Sequence, residues 1–426
     1  MRILVDHGAY GNLGDTSMVE GAVLRLLDLL PGEEIFVIDR PSLRTNIFGL
    51  PNVFRQVDYS VKPKWADVLT DAPFLWRYNQ YWGRIASKLT LLFVGNLFPA
   101  SSFSENGESR FKRMILSDFC EQFDGLHIVG GGNLTDIFYH ELFRKCMLIQ
   151  AFAEQDKPII LTGQQLGPFS SRILRRALAK SLHKANFVGL REQGNSLAFC
   201  REAFLEPQYF AVMGDDSFGL SGADDNHLLA ILTQYGIKEN EFLAFNVRTG
   251  HYAKEHIKYL EQMSIIVDKL STLFRMPIMI VPVALSQGDS DITSGKKLAK
   301  MTHSSRVLVL ENNNLTPSLV KGILGKAFGA VGVSYHFCTF ALSQGVPTVC
   351  IHDGNYYSQK ARGLSEFWGD KRLPLSLKGI NTDLAIDHIA EVFKDELLRK
   401  KLQDFSIQAI EHWKHIFDTQ VRKCFG

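Results

Sequence analysis

Short runs of Val, Ile, Leu and Phe alternate along this chain with longer stretches whose apolar positions recur every three or four residues. The short runs are apolar throughout, as in strands covered on both faces, and the longer ones carry the helical period. In the first half, strands are predicted over residues 2–6, 34–39, 126–129, 159–162, 187–190 and 209–212. Helices are predicted from Thr16 to Pro31-Gly32, over 110–123, from about 135 to 155, through the basic run Arg172, Arg175, Arg176 and Lys180, and after residues 191–196. Asp15 is the expected N-cap of the first helix. A second series starts at Phe242, with strands over 243–247, 277–282, 307–310, 330–333 and 348–351 and helices over 255–274, 293–303, 317–327 and 337–343. Residues 370–374 leave that series, and helices over about 382–393 and 396–417 close the chain. Strand and helix alternating in this way predict the α/β class with parallel sheets.

A chain of 426 residues is long for one core, so two domains are expected. The small, polar stretch Gly219–Asn226 is the natural linker. It divides the chain into an N-terminal domain over 1–220, a C-terminal domain over 227–380 and terminal helices over 381–426. Residues from about 60 to 110 break the rhythm. Trp65, Phe74, Trp76, Tyr78, Tyr81, Trp82, Phe93 and Phe98 crowd there with Lys62, Lys64, Arg77, Arg84 and Lys88. The stretch reads as an inserted helical pair packing its aromatics on the domain, or as an amphipathic patch for a carbohydrate or a lipid-linked acceptor at a membrane surface. Residues 101–109 are polar and read as a loop.

A net charge of +2 gives no reason to expect nucleic acid as a partner. Six scattered cysteines without a CxxC pair fit reduced thiols. No signal peptide and no membrane-spanning run is visible, so a cytoplasmic protein is expected, at most working at the inner face of the membrane.

Loops rich in glycine and polar residues follow the strands. Asn12 lies between Gly11 and Gly14, and Gly130-Gly131-Gly132-Asn133 follows the 126–129 strand. Gly163-Gln164-Gln165-Leu166-Gly167-Pro168, Arg191-Glu192 and Gly214-Asp215-Asp216-Ser217-Phe218 complete the first series. Such loops at the carboxyl ends of parallel strands line the edge where open α/β sheets take their ligands. The spacing matches neither the dinucleotide fingerprint nor the P-loop. In the second series Arg248 ends a strand, a residue suited to bidentate contact with phosphate or carboxylate, or else to an ordinary salt bridge. Ser334-Tyr335-His336 turns from strand to helix, where unpaired N–H groups and the helix dipole favour an anion. By itself His336 reads as a capping or partly buried histidine. Beside an anion site it is also suited to general acid catalysis. Lys360 and Arg362 bring further positive charge just after the last core strand.

Taken in order, these loops resemble the polysaccharide pyruvyl transferase family, from Gly11-Asn12-Leu13-Gly14-Asp15 through Asn246-Val247-Arg248 to Ser334-Tyr335-His336 and Gly345-Val346-Pro347. The resemblance implies two Rossmann-like domains facing across a cleft, as in GT-B glycosyltransferases. It implies phosphoenolpyruvate as donor and co-substrate, with no other cofactor and no metal. The acceptor would be a sugar diol of a cell-surface polysaccharide or its lipid-linked precursor, and the product a ketal. His336 matches the family's acid, and Arg248 matches an arginine for the donor's anionic groups. Ser334, Tyr335 and Lys360 are assigned with Arg248 to the donor side. Asn12, Gly131, Gly132, Asn133 and Gln164 are assigned to the acceptor side, with Asp15 orienting or deprotonating the diol. Many members carry arginine two positions before the histidine, where this chain has Ser334. Either Lys360, Arg362 or the helix N-terminus supplies that charge, or donor or activity differs here. A GT-B-like glycosyltransferase or nucleotide-sugar epimerase, and a non-catalytic sugar- or phosphate-binding relative, remain open on the same frame.

Overall fold

The computed structural model describes residues 1–7, 12–39, 50–57, 99–102, 112–249, 256–285, 290–304, 306–311 and 314–426. Strands β1 (Arg2–Asp6), β2 (Glu34–Asp39), β3 (Val53–Val57), β6 (Gly125–Ile128), β7 (Gly131–Leu134), β8 (Ile159–Leu166), β9 (Phe187–Leu190) and β10 (Phe210–Val212) form the first sheet. β4 (Pro99–Ser102) and β5 (Lys112–Ile115) pair antiparallel beside it. β11 (Leu243–Asn246), β12 (Ile278–Ile280), β13 (Val307–Val309), β14 (Gly329–Gly332), β15 (Thr348–His352) and β16 (Pro374–Ser376) form the second. Every pairing within the two large sheets is parallel.

The first sheet runs β10-β9-β8-β6-β1-β2-β3, with β7 also on β8, and the second runs β13-β12-β11-β14-β15-β16. Strand order therefore reverses between β1 and β6 in one sheet and between β11 and β14 in the other. Chains leaving the carboxyl ends of such neighbours diverge to opposite faces and open a crevice. β1 leads to Asn12–Asp15, and β14 leads to Ser334–His336. Both candidate loops are thus set by topology at the two crevices. The crevices face each other: Leu13 donates its N–H to Val283 O (2.9 Å), and Asn12 forms a bridge with Ala284 beyond the end of β12.

One apolar cluster runs from Ile3, Val5, Val19 and Val23 through Met213 and Phe218 into Phe245, Val331, Phe337 and Val349, so a single core spans both sheets. The other face of the first sheet closes over Leu4, Ile128, Leu148 and Leu161. The last helix, Glu396–Phe425, ties the two ends of the chain. It is about 45 Å long, and it returns to the first sheet. Trp413 Nε1 donates to Asp216 Oδ1 (3.0 Å), Phe417 packs edge-on against the His127 ring, and Arg25 Nε donates to Asp418 Oδ1 (2.7 Å). Asp216 is wholly buried and also accepts from Gly130 N (2.8 Å) and Thr162 Oγ1 (2.6 Å). Burial pushes its carboxyl up to about 6. Trp413→Phe deletes one donor to a buried carboxylate. It should cost about 1.5–3 kcal/mol in chemical denaturation, measured well above that value, where the carboxylate is ionised.

Several sequence expectations are corrected. The first helix starts at Leu13 and not at Thr16, capped by Asn12, whose side chain accepts from Gly14 N (2.9 Å). Asp15 stands inside the first turn, where its charge suits the helix dipole but it does not cap. The stretch expected as a helix over 110–123 contributes β5 and a short helix, Leu116–Glu121. The glycine loop after β6 pairs as strand β7, and β8 continues through Gly163 to Leu166, because glycine tolerates the positive φ (56°) there. The helix expected from about 135 begins at Tyr139. The His336 helix is Tyr335–Leu342, so His336 lies in its first turn. Residues 374–376 return as edge strand β16, starting on a proline that an edge strand tolerates. The 355–363 segment is helical within Asn355–Trp368. The aromatic stretch of about 60–110 lies outside the described residues apart from Pro99–Ser102. No described helix is long and apolar enough to cross a membrane, and the six cysteines are free.

Candidate active site

Asn246, at the end of β11, organises the second crevice. Its amide donates to Asp291 Oδ2 (3.0 Å) and to Val281 O (3.1 Å), and its carbonyl accepts from Ser334 N (3.1 Å). Asp291, fully buried, also accepts from Val283 N and Ala284 N (2.9 Å each) and from Arg248 Nε (3.1 Å). Arg248 is therefore oriented by a buried carboxylate, and the same network fixes the backbone where the His336 helix begins. Ser334 caps that helix through backbone geometry, without a side-chain hydrogen bond. The helix N-terminus consequently keeps its positive end.

His336 is 6% exposed. Its ring lies against Gly14 in the first turn of the facing helix. A methyl group at Gly14 would overlap Cβ, Cγ and Nδ1 of His336. Its Nε2 stands 3.8 Å from Asp215 Oδ2, and neither atom has a hydrogen-bond partner among the described residues. Burial lowers the imidazole below its ordinary 6.5. Asp215 and Asp15 act against that shift, while Arg191 and Lys360 add to it. His336 is thus predominantly neutral at pH 7.

Positive charge reaches the site from both halves. Arg191, at the end of β9 and 2% exposed, lies over the Tyr335 ring with Cζ 3.9 Å from its centroid. It also bonds Gln165 and lies 3.6 Å from Asp215 Oδ2. Lys360 enters from the second half. A Cβ at Gly132 would meet Arg191 Nη2 at 3.1 Å, Gln165 Oε1 at 3.2 Å and Lys360 Cε at 3.4 Å, so a side chain there would press on all three. Burial, with Arg191 and Arg248 nearby, brings the Lys360 ammonium down to about 7, and Asp15 opposes the shift. Burial likewise raises the Tyr335 phenol far above its ordinary range, so it stays protonated.

His336, Asp15, Tyr335, Lys360 and Gly132 thus come together, and Arg248 acts on Lys360 from the adjoining network. Asn12 serves the fold as cap and bridge at the rim. Gly131 packs on the Asn133 side chain, whose buried Oδ1 has no partner among the described residues. Gln164 is the one assigned residue that the structure removes. It is wholly buried, and its amide donates to Ile128 O (3.1 Å) and Thr162 O (2.9 Å). Gln165, on the other face of the strand, takes its place. Arg362 is exposed and Lys360 is directed inward, so of the two only Lys360 adds charge here. Arg191 and Asp215 lie in loops of the same series and also line the site, although sequence alone gives them no role there. Arg191 directly follows β9 as Arg248 follows β11, and that shared position is the signal in the sequence.

Two parallel-sheet halves meeting along their carboxyl edges, with a terminal helix crossing back, define a GT-B-like protein. The UDP-GlcNAc 2-epimerase from Neisseria meningitidis bound to UDP-GlcNAc has a similar structure, with TM-score 0.57, 12% identity and coverage of 99% of this chain and 100% of that one. So does Arabidopsis thaliana UGT89C1 complexed with UDP-L-rhamnose, with TM-score 0.58, 12% identity and coverage of 100% and 99%. At such identities the likeness concerns the fold alone. No curated protein matches. The family model described as polysaccharide pyruvyl transferase matches residues 12–353, and the chain belongs to that family, a family of transferases.

Proposed function

We propose that this protein transfers the pyruvyl group of phosphoenolpyruvate to two hydroxyls of one sugar in a cell-surface polysaccharide or its lipid-linked precursor. The observation that carries the reading is His336 itself: an imidazole whose Nε2 has no hydrogen-bond partner among the described residues, enclosed between the two halves with Arg191, Lys360 and Asp215 about it. A donor with a phosphate and a carboxylate matches that positive charge, with Arg248 and the helix N-terminus beside it.

In the reaction, His336 gives its proton to the methylene carbon of phosphoenolpyruvate, which becomes the methyl group. The central carbon, now cationic in character, takes the first sugar hydroxyl, whose proton passes to a base. In this reading Asp15 receives it. The C–O bond to phosphate then breaks, the phosphate leaves with the bonding electrons and takes the proton from Asp15, and the second hydroxyl of the same sugar adds to the same carbon. The second hydroxyl proton restores the imidazolium. The sum is phosphoenolpyruvate plus diol giving ketal plus inorganic phosphate. Arg191, Arg248 and Lys360 neutralise the departing phosphate, and the Ser334 position needs no arginine because Arg191 reaches the same turn from the opposite half. Access to a lipid-linked acceptor would bring the protein to the cytoplasmic membrane surface.

The test offers labelled phosphoenolpyruvate and, separately, labelled nucleotide-sugars with a mixed pool of sugar acceptors. Label from phosphoenolpyruvate should appear in acid-labile ketals with release of inorganic phosphate. Label passing only from nucleotide-sugars would establish a glycosyltransferase. An epimerised nucleotide-sugar would establish an epimerase. Binding of either donor without product would leave a binding protein.

A further inference from the structure

Lys321 is an ionisable side chain buried away from the reacting groups. It lies in the helix Pro317–Gly325 of the second half and is 1% exposed. Its Nζ donates to Ser217 O (2.9 Å) and Leu220 O (2.6 Å). Both carbonyls belong to the first half, at the end of the single turn Asp216–Gly219 that follows β10. Asp215 caps the start of that turn, its Oδ1 accepting from Ser217 N (3.0 Å). Its Oδ2 faces His336 Nε2 at 3.8 Å and Arg191 Nη1 at 3.6 Å. One short turn is thus held at both ends, by a carboxylate directed at the candidate acid and by an ammonium from the other half. The helix that carries Lys321 packs directly on the helix that carries His336. The lysine and the histidine are therefore fixed to one body, and the carboxylate between them belongs to the other.

We infer that Lys321 is a positioning residue: by capping the Asp216–Gly219 turn across the junction of the two halves, it sets the separation of Asp215 from His336. The inference rests on the reading of His336 as the acid. Burying an ammonium costs free energy that its two hydrogen bonds to carbonyls offset only in part, and burial brings Lys321 down to about 7. What the lysine fixes here is the carboxylate that stabilises the imidazolium. Without the tie, two buried carbonyls lose their donor, the turn relaxes and Asp215 moves off the ring. The groups facing His336 are Asp215 and Arg191 from the ends of the first-half strands, Asp15 from the first helix and Lys360 from Asn355–Trp368. Only Asp215 is held by the lysine-capped turn.

The test is a double-mutant cycle of Lys321→Met and Asp215→Asn in the full chain, read by turnover and by NMR titration of the His336 C2–H. Each single change should lower kcat by about tenfold to a hundredfold and leave the KM for phosphoenolpyruvate within about twofold. Each should also move the His336 titration to lower pH. The double variant should be no worse than Asp215→Asn alone, because the lysine acts through that carboxylate. Lys321→Gln keeps a neutral donor and should fall between wild type and Lys321→Met; it serves equally if the methionine variant does not fold. Losses that multiply in the double variant would overturn the inference, as would an unmoved His336 titration in either lysine variant. The NMR arm needs no donor chemistry. If the acid reading were wrong and this one right, the titration would still shift while His336→Gln kept its turnover.

Discussion

Replacing His336 with glutamine should lower ketal formation by about 10²–10⁴-fold, the range that a positioned general acid contributes. Binding of phosphoenolpyruvate should weaken far less than turnover, by the contribution of the imidazolium alone, because the side chains assigned to hold it, Arg191, Arg248 and Lys360, are still present. The pH dependence follows from the environment of the ring. Burial holds the imidazole below 6.5, so an acid in the free enzyme is protonated only on the acidic side of that value. kcat/KM for the donor should therefore fall as pH rises through an apparent pKa below 6.5. The donor's phosphate and carboxylate stabilise the imidazolium once bound, so the corresponding limb in kcat should lie at higher pH. Binding should then take up a proton near neutrality, measurable by calorimetry in buffers of differing ionisation enthalpy. Proton release, or no linkage, would show that the bound imidazole is neutral and that another group delivers the proton.

The second large effect comes from a residue with no side chain. Gly14→Ala should reduce turnover by about 10²-fold, the scale of an ångström-level misplacement of a catalytic group. An added methyl would occupy the space of the His336 ring, so the imidazole must rotate away or the halves must part. Alanine is otherwise the better helix former by about 1 kcal/mol, and Gly14 lies in a first turn that needs no positive φ. Overpacking costs about 1–3 kcal/mol, part of which the better helix former returns, so the thermal unfolding temperature should fall modestly while activity collapses. Intact turnover in Gly14→Ala would mean that the two crevices are not apposed during the reaction.

Much of this arrangement was legible in the chain because parallel strands buried on both faces leave an unambiguous apolar signal. Leu243–Asn246 and Gly329–Gly332 are buried at every position. The loops that matter follow those strands, so finding the strands located most of the site. What failed did so for local reasons. Asn12 and Asp15 are both good caps three residues apart, and only the bridge from Asn12 to Ala284 selects the first. Gln164 and Gln165 are chemically identical. Their faces are decided by a strand that continues through Gly163 with positive φ, which a strand ending at Thr162 could not reveal. β16 is three residues long and begins with proline, too little to carry a periodicity. Arg191 and Lys321 act across the junction of the halves, 145 and 104 residues from the partners they serve, His336 (336 less 191) and Ser217 (321 less 217). Only tertiary packing brings such pairs together.

Phosphoenolpyruvate labelled with ¹³C at its methylene carbon, incubated in D₂O with the protein and a sugar acceptor pool, tests the role of His336 most directly. The expected product is a ketal whose labelled methyl carries one deuterium, formed with stoichiometric phosphate by the wild type and lost in His336→Gln although that variant still binds the donor. Equal deuterated ketal from both proteins would contradict it.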